Sequence, residues 1–556
     1  MKGVRFLLIS IVLLGIFLRF YQLGITPPGL EWDEVAIGYD AYSILKTGRD
    51  QFGKFLPLTF RSLDDFKPPL YVYSAVPGIM LFGLNEFTAR LPSALYGVGA
   101  VILVYFLIQE VFWDKPPKDR ILLGLLSALF LAISPWHLQF SRAAFETNLS
   151  VTVTILAVFL FFRGIRLNNT KLFLSSALVF GIALFSYHSA RIVTPIVLVS
   201  LLILLKNSLP QKKIIAFFLG IYAIFFILFI PIATSKDAQI RFIVTNALNI
   251  NYYQDQAATT IYEDKQRGAG IVADIFLNRR FAIFNWDNVL TVTKNYFIHF
   301  SPEYLFVKGD APLHHAPDFG IMYFFDSVFL VVGLIFYLLK YRNRQNLILL
   351  IWLLASPIPA AVTIQVPHSV RTEIMIPTIQ IFSAMGLFVL YKFLRNESKW
   401  LTKFFVLIFC GILYFGMGTY LYHYYFYTNW KISDKWLYGR KEAVKYTEAL
   451  KSHYDKVIVS LSVDMPLNFW LFYSKYSPSI YLAEGGTRSG GYADETNHFD
   501  KYEFKNFNYD LIKSSSERIL LVGTQKDFPT DIKTLKTINY LDGTPGILIV
   551  EAGAMR

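Results

Sequence analysis

Four carboxylates lie close together in the stretch "GLEWDEVAIGYDAY", residues 29–42: Glu31, Asp33, Glu34 and Asp40. If the stretch is helical, Asp33 and Asp40 share one face, because residues at i and i+7 do. A carboxylate can act as a general base that takes a proton from a hydroxyl group. The structural alternative for Asp33 and Glu34 is an exposed first turn of a helix, where acidic side chains suit the helix dipole.

Basic and imidazole side chains recur at similar positions, beside apolar runs. Lys67 precedes Pro68 and Pro69 in "DDFKPPLYVY", a pattern that favours an extended, rigid turn, and Asp65 lies in the same stretch. Arg142 and Glu146 in "QFSRAAFETN" have the i, i+4 spacing of one helical turn. The segments "SYHSARIV" and "VPHSVRTEI" and the start of the second span complete the group, with His188, Arg191, His368, Arg371 and Arg90.

Ionisable groups at the depth of a membrane are costly, so they face a cavity or one another. For any single Arg, an anchor to lipid headgroups is the alternative. Lys and Arg can hold a phosphate and stabilise it as a leaving group. Together with a carboxylate base, these groups predict sugar transfer from a polyprenyl-phosphate sugar to an acceptor hydroxyl outside the cytoplasm. The sequence shows no Walker-type or G-x-G-x-x-G nucleotide loop, which fits a lipid-linked donor.

The elements that must position these residues are membrane helices. Of the 556 residues, 54% are hydrophobic and 17% are charged, whereas a soluble domain carries about 25% charged residues. Apolar runs long enough to cross a hydrocarbon core of about 30 Å recur along the chain. We predict a polytopic α-helical membrane protein with about eleven spans, near residues 4–23, 91–112, 121–138, 148–162, 172–187, 192–205, 214–233, 320–339, 347–364, 374–391 and 404–422.

Short basic clusters fall in every second connection between these spans, beginning with Lys2 and Arg5. The positive-inside rule therefore predicts a cytoplasmic N-terminus and a C-terminus on the outer side. The same clusters account for the net charge of +13, so it does not indicate a nucleic-acid partner. The first run is long for a signal peptide and lacks an A-x-A-like cleavage site, so we expect a retained span. The single cysteine, Cys410, excludes an intrachain disulfide.

Three long polar segments fall on the predicted outer side: 24–90, 234–319 and the tail. Within the first, residues 70–84 fit a helix at the membrane interface better than a span. The tail combines a helical pattern at 440–453 with the β-rich runs "KVIVSLS", "RILLVGT" and "GILIVEA". We therefore predict a transmembrane catalytic module at 1–427 and an extracytoplasmic α/β domain at 428–556.

The motifs "EWDEVAIGYDAY", "FKPPLYVY", "FGLNEFTARLPSALYG" and "SRAAFETN" resemble those of the GT-C membrane glycosyltransferases. The nearest groups are the protein O-mannosyltransferases and the lipid A aminoarabinose transferases, which are family 39-like. The resemblance covers roughly residues 1–230 by motif and the remainder by layout. It implies a GT-C fold and inverting transfer of a hexosyl or pentosyl group from a lipid-phosphate donor.

The resemblance also implies roles for individual residues. Asp33 matches the acidic residue that serves as catalytic base or positions the acceptor, and Glu34 matches its acidic neighbour. Lys67 matches the lysine that contacts the donor phosphate, and we expect Arg142 and Arg371 to assist it. The expected pocket residues are Glu146, Asp65, Arg90, His188, Arg191 and His368. The expected partners are the polyprenyl-phosphate sugar, the bilayer of the cell (plasma or inner) membrane, and an acceptor protein, lipid or glycan.

No cofactor is predicted. Aminoarabinose transferases carry an acidic residue or His before Lys-Pro-Pro, where this chain has Phe66, which argues against a metal site at that position. A metal cluster of His314, His315, Asp310 and Asp318 is left open as an alternative, as is sugar stacking by Tyr252, Tyr253 and Trp286. The alternative function is a transporter or flippase of a lipid-linked glycan. A transporter would favour charges near the bilayer midplane and inverted repeats, and neither is evident.

Overall fold

Each of the eleven predicted apolar runs contains a helix in the computed structural model, which describes residues 2–62, 65–235, 245–248, 262, 266–268, 286–488 and 496–553. In chain order the helices are α1 (Lys2–Phe20), α2 (Trp32–Thr47), α3 (Pro69–Phe82), α4 (Glu86–Val111), α5 (Pro117–Ile133), α6 (Pro135–Phe140), α7 (Glu146–Arg166), α8 (Thr170–Ala183), α9 (Ala190–Leu204), α10 (Lys212–Ala233), α11 (Trp286–Ile298), α12 (Asp326–Phe336), α13 (Leu347–Ala355), α14 (Ile358–Ala361), α15 (Ser369–Thr372), α16 (Thr378–Glu397), α17 (Lys399–Tyr422), α18 (Thr428–Lys431), α19 (Arg440–Leu450), α20 (Pro466–Ser474), α21 (Pro478–Ala483) and α22 (Tyr509–Ile512).

Several of these helices are long and apolar enough to cross a membrane. By length and composition, the described residues contain six such segments: Lys2–Phe20, Glu86–Val111, Glu146–Arg166, Lys212–Ala233, Thr378–Glu397 and Lys399–Lys431. Four shorter apolar helices are Pro69–Phe82, Thr170–Ala183, Ala190–Leu204 and Leu347–Ala361. These helices confirm the predicted fold class, a polytopic α-helical membrane protein.

Helix α2 begins within the acidic stretch, and two acidic side chains of that stretch cap its N-terminal end. Glu31 is the N-cap residue, and its Oε1 accepts a hydrogen bond from the Asp33 N–H at 3.1 Å. Glu34 completes a capping box, because its carboxylate accepts from the Glu31 N–H at 3.1 Å. Asp33 and Glu34 thus lie in a helical first turn, as the structural alternative predicts. However, Glu34 is buried rather than exposed.

The strands are β1 (Phe60–Ser62), β2 (Asp65–Lys67), β3 (Lys456–Val459), β4 (His498–Phe499), β5 (Tyr502–Phe504), β6 (Ile519–Gly523), β7 (Lys536–Asn539) and β8 (Pro545–Ala552). The tail forms a six-stranded sheet in the order β4-β5-β3-β6-β8-β7, in which β3 runs parallel to β5 and β6. The other pairs are antiparallel. The predicted tail helix and its three β-rich runs are α19, β3, β6 and β8, so the α/β prediction is confirmed.

The tail domain packs on α2. One hydrophobic core contains Val35 of α2, Tyr71 of α3, Trp470 of α20 and Ile549 of β8. A side chain at Gly38 of α2 would meet the ring of Phe472 in α20. The Tyr39 hydroxyl also donates to the Tyr476 carbonyl at 3.2 Å. The helix that begins with the acidic stretch therefore shares its core with the C-terminal domain.

Within the membrane bundle, α12 and α16 pack closely through a pair of glycines. A Cβ at Gly333 would collide with the backbone carbonyl of Phe382, and a Cβ at Gly386 would collide with that of Phe329. Small residues allow this approach of two helix backbones, and the dispersion contacts it creates stabilise helix pairs in lipid. The position at 386 therefore requires glycine.

Gly386→Val should destabilise the bundle, because the added side chain must separate α12 from α16. Overpacking of this kind costs about 1–3 kcal/mol or more. We expect a lower temperature of thermal unfolding for the detergent-solubilised variant. The matched control is Gly411→Val in α17, where an added Cβ has no neighbour within 4 Å in the described structure. Equal unfolding temperatures for both variants would contradict the packing argument.

Candidate active site

Asp33 and Lys67 meet in an ion pair. Lys67 Nζ lies 2.5 Å from Asp33 Oδ2, with 12% of the Lys67 side chain and 29% of the Asp33 side chain exposed. The Ser62 hydroxyl lies 3.4 Å from the other oxygen of Asp33. The pair is therefore partly open to its surroundings, which suits groups that contact a ligand.

Local structure explains why these two residues meet. Asp33 lies in the first turn of α2, which the capping box fixes. Lys67 ends the β1–β2 hairpin, where it pairs with Phe60, and it directly precedes Pro68 and Pro69 at the start of α3. Proline fixes the backbone on the C-terminal side of Lys67. The side chain of Asp65, predicted in the pocket, lies outside what the structure describes, although its backbone belongs to β2.

Two further carboxylates surround the Lys67 ammonium. Glu146 is the first residue of α7 and is buried, and within the described structure its Oε1 has no hydrogen-bond partner. Burial alone lowers the pKa of Lys67, but the negative charges of Asp33, Glu146 and Glu31 outweigh burial and raise it. Burial, together with the charges of Asp33 and Glu34, raises the pKa of Glu31 well above its usual range. The ammonium is thus firmly charged within an acidic site.

Glu34 and Arg90 form a fully buried pair next to this site. Arg90 donates to both carboxylate oxygens of Glu34, at 2.8 Å and 2.9 Å. The Ala144 N–H also donates to Glu34 at 2.8 Å. Arg90 donates further to the carbonyls of Leu23, Pro27 and Gly29. The structure therefore gives both residues a positioning role, and the predicted catalytic role of Glu34 stays a prediction.

Arg142 is also buried, and its described hydrogen bonds go to groups other than Asp33 and Lys67. It donates to the carbonyls of Leu18, Arg19 and Thr26 and to the Tyr424 hydroxyl, at distances of 2.8–3.2 Å. Because α7 begins at Glu146, Arg142 lies in the turn before the helix, and the expected helical turn between the two residues does not form. Within the described residues no ion pair joins Arg142 to Glu146. Arg142 instead holds the C-terminal end of α1.

His188 lies in the connection between α8 and α9, and Arg191 lies in the first turn of α9. Arg191 Nη1 lies 2.8 Å from His188 Nδ1, and its Nε donates to the Leu184 carbonyl at 3.2 Å. Burial lowers the pKa of His188 well below its usual range, and the charges of Arg191 and Lys67 lower it further. His188 is therefore neutral at physiological pH, and its place in a ligand pocket stays a prediction.

Arg371 lies in the short helix α15, which precedes α16. Its Nη1 donates to the Thr363 hydroxyl at 2.6 Å and to the Ile364 carbonyl at 2.7 Å. Its charge contributes to the lowered pKa of His188, as does the charge of Lys67. The structure thus brings Asp33, Lys67 and His188 into one neighbourhood with Arg371.

His368 lies three residues before Arg371 and belongs to a separate cluster. Its ring centroid lies 5.0 Å from that of His314, whose Nδ1 lies 2.7 Å from Asp310 Oδ2. Burial lowers the pKa of His368 to about 2, so its ring is neutral. The sequence alternative joined Asp310 and His314 to His315 and Asp318. The structure corrects this, because His315 Nδ1 lies 2.9 Å from the Ala316 carbonyl and Asp318 pairs with Lys431.

Sequence reasoning missed two features of this region. The sequence marks Glu31 only as one of four acids, whereas in the structure it caps α2 and lies near Lys67. The contact of His314 with His368 joins distant loops, and only the i, i+4 spacing of Asp310 and His314 gave a signal. Of the aromatic residues considered for sugar stacking, Trp286 is 73% exposed, whereas Tyr252 and Tyr253 lie outside the described residues.

Comparisons with known proteins agree with this architecture. Residues 66–234 match the family model described as dolichyl-phosphate-mannose-protein mannosyltransferase. Two relatives from Bacillus subtilis (strain 168) are named "Putative mannosyltransferase YkcB" and "Putative mannosyltransferase YycA". The first is 27% identical over 27% of this chain and the second 24% identical over 38%. The aligned part spans only 20% and 30% of the lengths of these relatives.

The fold is shared with a solved membrane protein over nearly its whole length. ArnT from Cupriavidus metallidurans, bound to undecaprenyl phosphate, superposes with a TM-score of 0.54 and 13% identity, covering 97% of both chains. Its apo state gives a TM-score of 0.53 at 12% identity, covering 99% of this chain and 98% of ArnT. At such identities the likeness shows the fold. The chain thus shares the fold of ArnT, and its residues 66–234 match the mannosyltransferase family model, in keeping with the GT-C resemblance of its motifs.

Proposed function

We propose that the protein transfers a sugar from a polyprenyl-phosphate donor to an acceptor hydroxyl, with inversion at the anomeric carbon, on the outer face of the membrane. The observation that carries the proposal is the partly exposed ion pair of Asp33 and Lys67, because it supplies a carboxylate and a phosphate-binding cation at one place. The match to a mannosyltransferase family model, which includes Lys67, supports the same activity. ArnT, which shares the fold, was solved with undecaprenyl phosphate.

Lys67 would hold the donor phosphate. Its ammonium stays charged, because the surrounding carboxylates raise its pKa, and a charged donor binds phosphate strongly. A phosphate that draws Lys67 away from Asp33 leaves the carboxylate without its counter-ion. Donor binding thereby exposes the base, so we expect the donor to bind before the acceptor reacts.

Asp33 would then act as the general base. The acceptor hydroxyl gives its proton to Asp33 while its oxygen forms a bond to the anomeric carbon. The bond from that carbon to the phosphate oxygen breaks in the same step, and polyprenyl phosphate leaves with its negative charge stabilised by Lys67. A single displacement inverts the configuration and needs no covalent glycosyl-enzyme. Arg371, whose charge acts on His188, would assist Lys67 in holding the phosphate.

The proposed outer-face location follows from charge placement. Basic clusters recur in every second connection, whereas Asp33 and Lys67 fall in the long segment between the first two predicted spans. A phosphate at headgroup level with its polyprenyl tail in lipid reaches this boundary. The acceptor, whether protein, lipid or glycan, approaches from the aqueous side.

Asp33→Asn and Lys67→Met should both abolish sugar release from a panel of radiolabelled polyprenyl-phosphate hexoses and pentoses. Loss of a general base costs about 10²–10⁴-fold in rate, and loss of a charge stabiliser costs about 10²–10³-fold. Because Asp33 acts on the acceptor, Asp33→Asn should still bind polyprenyl phosphate, whereas Lys67→Met should bind it weakly. The anomeric configuration of the product, measured by NMR, tests inversion.

The matched control is Glu86→Gln, which removes a carboxylate from another ion pair with lysine, that of Glu86 with Lys441 at 2.6 Å. It should retain the wild-type rate. Equal turnover by wild type and Asp33→Asn would remove Asp33 from the mechanism. If wild-type protein turns over no donor yet moves a lipid-linked sugar across vesicle membranes, the protein is a transporter.

Glu31→Gln should make the protein more stable than wild type at neutral pH, by an amount that grows with pH. Since burial raises the pKa of Glu31, the folded state holds a proton that the unfolded state has lost. Stability therefore falls as pH rises from the unfolded to the folded pKa, by about 1.4 kcal/mol for each pH unit between them. Gln keeps the oxygen that caps α2 and has no such proton. Unfolding temperatures of wild type and Glu31→Gln, measured at several pH values from about pH 4 to about pH 8, test this prediction. A difference in unfolding temperature that stays the same across this range would contradict it.

A further inference from the structure

Three side chains from two separate connections form a His–Asp cluster beside the proposed site. Asp310 and His314 belong to the segment before α12, and His368 lies just before α15. Among the described residues, they are the one group of three or more potential ligands whose donor atoms all lie within 4.8 Å of one another. The cluster therefore links two segments that are far apart in the chain.

Hydrogen bonds already orient the members of the cluster. Asp310 Oδ2 accepts from the Ser369 N–H at 2.7 Å, and Asp310 Oδ1 accepts from the Ser369 hydroxyl at 2.9 Å. The His368 N–H donates to His299 Nε2 at 3.2 Å. Outer contacts of this kind, from backbone and hydroxyl groups to a ligating carboxylate, are what metal sites use to hold their ligands.

One polar atom of the cluster is not accounted for by these bonds. His368 Nδ1 is buried, and within the described structure it has no hydrogen-bond partner. A buried polar atom without a partner is costly and requires an explanation. An ion between the two imidazole rings, whose centroids are 5.0 Å apart, would supply the missing partner.

The donor set fits one class of ion. Two imidazole nitrogens and one carboxylate oxygen are ligands that Zn²⁺ accepts, whereas Mg²⁺ and Ca²⁺ prefer oxygen alone. Zinc bonds nitrogen and oxygen at about 2.0–2.2 Å, which places tetrahedral ligand atoms about 3.3–3.6 Å apart. The donor atoms of the three side chains already lie within 4.8 Å of one another. Small side-chain movements would therefore bring them to the distances of a zinc site.

We propose that Asp310, His314 and His368 bind a divalent transition-metal ion of the zinc type, which fastens the segment before α12 to the turn that carries Arg371. Three protein ligands leave a fourth position for water. The inference rests on these side chains alone and does not depend on glycosyl transfer. Its consequence for the protein is structural, because the ion holds His368 and thereby the position of Arg371.

The test is Zn²⁺ binding by tag-free, full-length protein in detergent, after removal of metal by a chelator. Competition with a fluorescent zinc chelator gives the affinity, and elemental analysis gives the stoichiometry. We expect one ion per chain. Asp310→Asn, His314→Gln and His368→Gln should each bind Zn²⁺ at least about 100-fold more weakly. The absorption spectrum of the Co²⁺-loaded protein should show tetrahedral ligation that the three variants lose.

His315→Gln is the matched control, because it removes the adjacent histidine and leaves the three ligands intact. It should bind one ion with wild-type affinity. Unfolding temperatures of the metal-free proteins show which variants are folded, and only folded variants are compared. Absence of zinc binding by wild type at micromolar free metal would overturn the proposal. Wild-type affinity in folded His368→Gln, or loss of binding in His315→Gln, would overturn the assigned ligand set.

Discussion

The buried ion pair of Glu34 and Arg90 is the interaction on which the arrangement of the site depends. Arg90 binds both oxygens of Glu34 and three carbonyls of the segment that joins α1 to α2. Glu34 in turn holds the backbone of Ala144, just before α7. Burial makes such a pair intolerant of losing one partner, because the remaining charge would stay desolvated. Helices α2, α4 and α7 are thereby fixed relative to one another at the level of Asp33.

The site around Lys67 contains more carboxylates than cations. Asp33, Glu146 and Glu31 surround the single ammonium of Lys67. A site with this excess of carboxylates does not attract a phosphate by its net charge, so specific contact with Lys67 must supply the attraction. The raised pKa of Glu31 reduces the excess, because a protonated carboxyl repels no anion. The carboxylates thus favour a hydroxyl group as a neighbour, whereas Lys67 alone favours an anion.

The sequence was informative where the chain is locally constrained. The helices of the eleven apolar runs and the tail strands β3, β6 and β8 could be predicted, since periodicity and composition are local signals. The motif resemblance, and no local signal, assigned Asp33 and Lys67 to one site. The hydrogen-bond partners of Arg142 could not be predicted, because they are backbone carbonyls at the end of α1. No pattern in a sequence marks such carbonyls. The contact of His314 with His368 could not be predicted either, since it depends on the packing of two loops that the membrane helices bring together.

Helix α2 and the tail domain share a hydrophobic core, which connects the domain to the ion pair of Asp33 and Lys67. Asp33 lies in the first turn of α2, whereas Lys67 stands on the separate hairpin that leads into α3. The domain contacts α2 along the face that includes Gly38 and Tyr39. The same core contains Phe60 of β1 and Tyr71 of α3, so the domain also supports the elements that carry Lys67. The tail domain is in this sense a common backing for both members of the ion pair, and unfolding of the domain would free the carboxylate and the ammonium together.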